Sequence, residues 1–584
     1  MTFSKYNIDF LDSKDWVKDF YKMNYNKSSD DKNFNDASSD LTEEEFLKQI
    51  EVNNFQMDKD LDKVRGLDKA VDKVIEVMNN KQKILLVTDY DCDGITSAIT
   101  LTKYFQEVLK YSNTETLVNE RKYGNGVNET LLKKILDIDA MTKVALVITA
   151  DHGMTNNKEY ATMKLHGIET IVTDHHTVPA NYPTAAYEVI NMQRDMSEYT
   201  TCISGCNTAF LLCVGIHKKL NKDLKDLDVL LPYVGISNVV DQMPLYNLQN
   251  RRLVQTGMNV HNRRQDEELN ILTDILSISP LVRHRNISWN IGPFFNSGNR
   301  CGTEDTILKG FTAEKEIRKN KLLYAMQEND RRKASQKSII DTAVEQINQV
   351  YPNLEHTYGV VATITTPYGI AGPTASKIKE IFNKPAIVFK YNADNTLLIG
   401  SGRTHFNLNL LQLLQDLKEE HPGVVVKAAG HKGACGVEIN ATQLNKFREI
   451  FSKAVGEAIG FSIPAVKKTV LAYIKPQDVN MALAYQVEKL GPFGNYWEEP
   501  LFITKMKFKN SLALPFGRKC TFYRCNRTTI NMTYYYNNPN ITPANWNDII
   551  VQNTDYWIVF KIAVSYYNKR HFLSVVIEDI FKDE

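Results

Sequence analysis

Long apolar runs are missing from this chain of 584 residues. The most apolar stretch, around Ala209–Ile216, is far too short to cross a bilayer, so no membrane association is expected. Paired CxxC spacing is missing too. The eight cysteines (Cys92, Cys202, Cys206, Cys213, Cys301, Cys435, Cys520 and Cys525) are scattered and mostly set in apolar patterns. That argues against a thiolate zinc site and against a disulfide framework, leaving reduced core thiols. A formal net charge of +1 supplies no overall pull toward nucleic acid, so any such partner must be held by local patches. The opening segment MTFSKYNIDFLDSKDW has no basic region followed by an apolar run, and a cytoplasmic protein is expected.

What is present begins with a polar segment over 1–50, its Asn26–Asp40 tract expected to be flexible. Over 51–245, short apolar runs at Lys83–Thr88, Thr116–Asn119, Val144–Thr149, Glu169–Thr173 and Tyr187–Asn191 alternate with helical patterns. Those patterns cover Thr96–Leu109, Glu129–Leu136 and Glu159–Leu165. Such alternation predicts an α/β unit built on a doubly wound parallel sheet. Residues 246–347 read as a charged helical connector. A second α/β unit is expected over 348–462, with strands at Gly359–Thr365, Ala386–Phe389 and Thr396–Gly400. Over 463–584 the chain turns strand-like and aromatic, with turns at Asn537–Pro543 and Tyr567–Arg570, which predicts a small β barrel or sandwich.

Acids and histidines fall where chemistry would need them. Ligands of open parallel sheets bind outside the carboxyl ends of the strands. The first strand runs into Asp89-Tyr90-Asp91-Cys92-Asp93-Gly94, the third into Asp151-His152-Gly153, the fourth into Asp174-His175-His176. A helical stretch, Tyr233–Asp241, delivers a further acid. Taken singly, each has a plain reading: an acidic turn, a structural histidine pair, an Asp-Gly turn. Their joint occurrence makes the plain readings improbable. Carboxylates gathered this closely cannot all stay ionised without compensation. Two divalent cations about 3.5–4 Å apart relieve the repulsion, activate water and stabilise a leaving oxygen. Mixed carboxylate and imidazole donors without thiolates suit Mn²⁺, then Mg²⁺.

These segments resemble the motifs of the DHH phosphoesterase family, named for the triplet seen here as Asp174-His175-His176. DYDCDGITSA (Asp89–Ala98), ITADHG (Ile148–Gly153), VGISNVVDQMPL (Val234–Leu245) with Asn250-Arg251-Arg252, and IGPFFNSGNRCG (Ile291–Gly302) are similar to RecJ single-strand DNA exonucleases. GIAGPTASKIKEIFNKP (Gly369–Pro385), GSGRTHFNLNLLQLL (Gly400–Leu414) and AAGHKGACGVEI (Ala428–Ile439) resemble the DHHA1 domain. VEKLGPFGNYWEEPLF (Val487–Phe502) looks like the entrance to an OB-type domain.

The resemblance implies that Asp91 and Asp151 hold one metal, and that Asp93, Asp151, His175 and Asp241 hold the other, with Asp151 bridging. It makes Asp89 an auxiliary carboxylate, has His176 meet the scissile phosphate, and puts Asp174 behind its neighbouring histidine as an orienting acceptor. His152 stands where asparagine is usual; a hydrogen-bonding substitute is expected rather than an added ligand. Arg121, Arg300, Arg403 and His431 are candidate substrate contacts. So are the amides of two glycine-rich turns, Gly430-His431-Lys432-Gly433-Ala434 and Gly400-Ser401-Gly402-Arg403. Between Leu281 and Ser338, basic residues outnumber acidic ones by roughly two to one, including Arg331-Arg332-Lys333: a solvated helix face or a backbone-tracking groove. Half or more of the aromatics of the last domain are expected in its core, the remainder being free to stack bases.

The implied activity is exonucleolytic hydrolysis of single-stranded DNA, 5′ to 3′, by a monomer that works alongside a single-strand DNA-binding protein or a helicase. The rivals are a non-catalytic DNA-binding relative and a phosphohydrolase of small substrates such as short oligonucleotides or cyclic dinucleotides. Retention of every metal ligand opposes the first, and the extra C-terminal domain opposes the second.

Overall fold

Five apolar runs form an all-parallel sheet in a computed structural model. It describes residues 6–7, 16–17, 19–20, 55–124, 126–194, 202–264, 266–278, 281–404, 408–462, 468–514, 517–524, 528–535, 545–567 and 570–582. The strands are β1 (Lys83–Thr88), β2 (Thr114–Val118), β3 (Val144–Ala150), β4 (Glu169–Thr173) and β5 (Glu188–Ile190), in the order β2-β1-β3-β4-β5. Both faces of the inner strands are covered, which is why β1 and β3 are mostly apolar, whereas the edge strand β2 (TETLV) is only half-buried. Ile84 and Leu86 pack with Ile148 and Ile171 on one side; Leu85 and Val87 pack with Val147, Val172, Leu131 and Tyr160 on the other. The strand order reverses between β1 and β3, opening a crevice at their carboxyl ends.

The helices that matter for that crevice are α1 (Cys92–Lys103), α2 (Gly205–Lys219), α3 (Leu231–Val240), α4 (Leu248–Asn262) and α5 (Lys315–Val350). Helix α1 starts four residues before the expected Thr96, because Asp91 caps it, and passes into a π-type turn over Tyr104–Val108. The apolar Ala209–Ile216 stretch is the buried middle of α2. Helix α5 runs unbroken for 36 residues out of the connector and into the second α/β unit.

That unit carries β6 (Val360–Thr363), β7 (Ala386–Tyr391), β8 (Leu397–Arg403), β9 (Val425–His431) and β10 (Ala434–Asn440), in the order β9-β10-β8-β7-β6. Here one expectation fails. Gly400-Ser401-Gly402-Arg403 is not a turn but the second half of β8. Its glycines make room for neighbours: a Cβ on Gly400 would sit 2.5 Å from the Phe389 ring, and one on Gly402 would sit 2.9 Å from Leu410.

The last unit contains β11 (Ala472–Tyr473), β12 (Phe502–Leu514), β13 (Gly517–Tyr523), β14 (Thr529–Tyr535), β15 (Asp555–Tyr567) and β16 (Arg570–Lys582). Pairings run β12-β13-β14-β16-β15 and return from β15 to β12, closing a five-stranded barrel. This is the strand order of an OB-type barrel.

Polar clasps help tie the barrel to the catalytic unit. Arg251 of α4 is buried and donates to the carbonyls of Leu490 (2.5 Å), Gly491 (2.7 Å) and Pro492 (3.0 Å), its guanidinium lying 4.6 Å from the centre of the Trp497 ring. Glu499 accepts from Arg285 Nε at 2.5 Å and lies 3.4 Å from His284 Nε2. Among the described residues no helix is long and apolar enough to cross a membrane. The Asn26–Asp40 tract, Cys525 and the turn expected at Asn537–Pro543 lie outside the described residues.

Candidate metal centre

Asp91 follows β1 and caps α1: its Oδ1 accepts from the amides of Asp93 (2.9 Å) and Gly94 (3.2 Å). Glycine at 94 is required, since a Cβ there would lie 2.1 Å from the Asp89 carbonyl oxygen. In the first turn of α1, Asp93 points at the start of α2. Its carboxylate accepts from the amides of Gly205 (2.7 Å) and Cys206 (2.8 Å) and from Ser237 Oγ (2.5 Å). The amino end of a helix and a hydroxyl thus hold this acid in place. Gly205 lets α2 approach closely, as a Cβ there would fall 2.6 Å from Asp151 Cβ. Asp151 follows β3 in a left-handed conformation, φ 62°, which is uncommon outside glycine.

His175 gathers the set. Its Nε2 lies 3.2 Å from Asp151 Oδ1, 3.5 Å from Asp93 Oδ2 and 3.5 Å from Asp241 Oδ2. Three segments far apart in sequence therefore bring carboxylates to one imidazole nitrogen borne by a fourth. Donor atoms of Asp93, His175 and Asp241 lie within 4.8 Å of one another, as do those of Asp151, His175 and His176.

Burial and crowding of like charges set the electrostatics of these acids. Burial, then Asp93, pushes the Asp91 carboxyl above its ordinary range. Burial, with Asp93 and Asp91, raises Asp151 and Asp241 well above theirs. Asp89 is pushed up to about 8 by burial and by Asp91, and its Oδ1 is buried without a hydrogen bond. Burial also lowers the His175 imidazole toward the neutral form that ligates metals. Hard oxygen donors, one neutral imidazole and unrelieved mutual repulsion fit divalent cations.

Asp174 has no capacity left for a metal. Its Oδ1 accepts from the amides of His175 (2.7 Å) and His176 (3.1 Å) and from His176 Nδ1 (2.8 Å), while Oδ2 accepts from the Met154 amide (3.2 Å). It orients the ring of His176 and touches His175 only through the backbone. Burial opposes the imidazolium of His176, but the bond and charge of Asp174 outweigh it and raise this pKa to about 9. Asp174 is correspondingly held down to about 2 against the effect of burial. His152 is buried, its ring kept neutral by burial, which pushes its pKa down to about 4, and it belongs to neither donor group.

A second cluster is cationic. Arg121 Nη1 donates to Asn299 Oδ1 at 3.3 Å, Arg300 follows directly, and the Gly369 amide donates to the Arg300 carbonyl at 3.1 Å. Gly372 packs against the Arg403 guanidinium. Burial, together with Arg332, Arg121 and Arg403, pushes Arg300 down to about 10. Among the described residues none of these four arginines makes an ion pair. Tyr90, between Asp89 and Asp91, feels Arg121 as well as the acids, so the two clusters adjoin. The Gly430–Ala434 turn sits beside them, with Ala434 paired to Arg403. Gly430 takes φ 133°, the Gly433 carbonyl accepts from the Thr404 amide at 3.1 Å, and the His431 side chain lies outside what is described.

Arg332 is the buried member of the basic triplet, bonded to Asn329 and Gln336; Arg331 and Lys333 pair with Glu328 and Asp330 on the outside of α5. In the barrel Phe493, Trp497, Tyr534 and Tyr556 are buried, whereas Tyr496 and Tyr535 are exposed. Sequence reasoning missed Gly205 and Ser237, which donate to Asp93, and Ser204, which caps α2 and bonds to Ser237. Their signals were a Ser-Gly start before an apolar helix, and a serine one turn ahead of Asp241.

A parallel sheet with this donor set at its carboxyl ends, joined to a second α/β unit, is the architecture of a DHH/DHHA1 protein. The DHH family N-terminal domain model matches residues 83–236, the DHHA1 domain 356–457, and the RecJ OB domain 472–579. With all three in that order, the chain belongs to the RecJ-like branch of the DHH/DHHA1 superfamily. It is 26% identical to the single-stranded-DNA-specific exonuclease RecJ of Escherichia coli, over 75% of this chain and 77% of that one. It is 24% identical to a putative single-strand DNA-specific exonuclease of Bacillus phage SPbeta, over 81% and 82%. The RecJ of Thermus thermophilus, solved in complex with Mn²⁺, superposes with a TM-score of 0.71 at 18% identity, over 89% of this chain and 72% of that one.

Proposed function

We propose that this chain is a metal-dependent exonuclease that hydrolyses the phosphodiester bonds of single-stranded DNA, 5′ to 3′. The observation that carries the reading is His175 Nε2 lying within 3.5 Å of carboxylates from three separate segments. The 5′ to 3′ direction rests on the resemblance to RecJ alone.

Asp91 and Asp151 would hold one Mn²⁺ or Mg²⁺ ion; Asp93, Asp151, His175 and Asp241 would hold a second, with Asp151 shared. Two such ions supply Lewis acidity toward water and toward the phosphodiester. His176, its Nδ1 tied to Asp174, is half-exposed and offers its other nitrogen to a phosphate oxygen as developing charge needs it. Arg121, Arg300 and Arg403 bind a terminal phosphate, and amides of the Gly430–Ala434 turn add uncharged donors beside it. Arg332, buried behind Arg300, adds positive charge at longer range. The closed barrel supports a long substrate over a dinucleotide, since a small-molecule site needs no third unit.

The test is digestion of single-stranded DNA with Mn²⁺, using strands labelled at one end or the other. The 5′ label should leave first, as a mononucleotide. Absence of digestion, or digestion confined to dinucleotides, would overturn the reading.

A further inference from the structure

Of the five tryptophans, Trp16, Trp497 and Trp546 are buried and Trp557 is half-buried, but Trp289 is 79% exposed. It occupies the middle of a π-type turn, Ile287–Ile291, a rare backbone form that gathers at functional sites. Ile287 and Ile291 anchor that turn in the core beside Gly235, Ile236 and Met258, while Ser288 and Asn290 face out with the indole.

The flanks of the turn are fixed to two different parts of the molecule. Upstream, Arg283 donates to the Val564 carbonyl and pairs with Glu488, while His284 and Arg285 meet Glu499; all three acceptors belong to the barrel or its approach. Downstream, Gly292 packs on Val240, next to Asp241: a Cβ there would lie 2.4 Å from Val240 Cγ2. Asn296 Oδ1 then accepts from the Cys92 amide at 3.1 Å, next to Asp91. Four residues further on comes Arg300. A single segment thus carries, in order, barrel contacts, an outward indole, supports of the metal centre and a half-buried arginine.

Indole faces alternating with guanidinium groups suit a single strand, whose bases stack on the one and whose phosphates meet the other. We infer that Trp289 is a base-stacking platform for single-stranded DNA passing from the barrel to the metal centre. The inference rests on the nuclease reading above and adds to it a substrate contact outside the metal-binding motifs.

The experiment uses the full chain in EDTA, titrated with oligothymidylate, with tryptophan emission as the readout. Stacking should quench the wild-type signal, and most of that quench should be absent in Trp289→Phe. Trp289→Ala should bind about 5- to 150-fold more weakly, and Trp289→Phe should recover most of the loss. With Mn²⁺ added, the Ala variant should raise KM for long strands and leave kcat and dinucleotide hydrolysis close to wild type. Equal quenching in wild type and Trp289→Phe, or equal affinity in wild type and Trp289→Ala, would overturn the inference. If Trp289→Ala unfolds, the Phe variant decides by the quench alone. The nuclease reading is judged separately: binding and quenching without any wild-type digestion would remove that reading and leave the stacking contact standing.

Discussion

Asp151 meets two demands at once. It takes a left-handed backbone so that its carboxylate turns toward His175, and it tolerates burial among other acids that raise its pKa. Replacing it with asparagine keeps the shape and removes the charge. Asp151→Asn should lower nuclease turnover on the order of a thousandfold or more, with binding of single-stranded DNA largely kept. Calorimetric titration with Mn²⁺ alongside a digestion assay checks this; near-normal digestion would sink the site assignment. His176 offers a second test at this scale. In the metal-free chain its imidazole should titrate near pH 9, protonated below and neutral above, because Asp174 stabilises the cation. Asp174→Asn should bring that midpoint down toward the ordinary histidine value, read by NMR. A wild-type midpoint below 7 would contradict the pairing.

At the scale of elements, the site depends on how helix ends meet. The start of α2 and Ser237 of α3 together supply three hydrogen bonds to Asp93, so two helices are positioned by one carboxylate. Ser237→Ala removes one of these donors without replacing a proposed ligand. It should cost about 10- to 100-fold in metal affinity or activity, the usual range for groups that orient ligands. Unchanged Mn²⁺ affinity together with unchanged activity would reject that role. Arg251 does for the barrel what Ser237 does for the metal centre. Arg251→Ala strands the carbonyls of Gly491 and Pro492, Leu490 keeping its bond from Trp497 Nε1, and urea unfolding should register a loss of about 3 kcal/mol. Arg251→Lys should restore little, because an ammonium cannot reproduce the planar fork.

Across the whole molecule, units distant in sequence are joined through polar contacts, and one of them sets an acid limit. Burial tends to raise the Glu499 carboxyl, but His284 and Arg285 hold it down to about 2 against an ordinary 4.5. A depressed folded-state value means this stabilisation is complete above about pH 4.5 and is lost as pH falls toward 2. The gap corresponds to about 3 kcal/mol at most. Glu499→Gln should flatten the acid side of the stability curve, and an unchanged curve would discount the clasp.

Much of the parallel sheet was legible because its strands are short apolar runs separated by helical patterns. β1 and β4 fall where their periodicity puts them, and the acids follow the strands as expected. Less could be read where local pattern was silent. A glycine pair in β8 looked like a turn, because sequence cannot distinguish a glycine chosen for φ from one chosen for room. Arg332 resembled its neighbours Arg331 and Lys333 until the packing of α5 turned it inward. The order of strands, helices and acidic motifs was written in local periodicity and residue chemistry, which depend on near neighbours alone. That His175 stands among three distant carboxylates, that four arginines crowd together, and that an indole faces outward between barrel and metal centre were decided only by tertiary packing, because each depends on groups that the chain brings together from far apart.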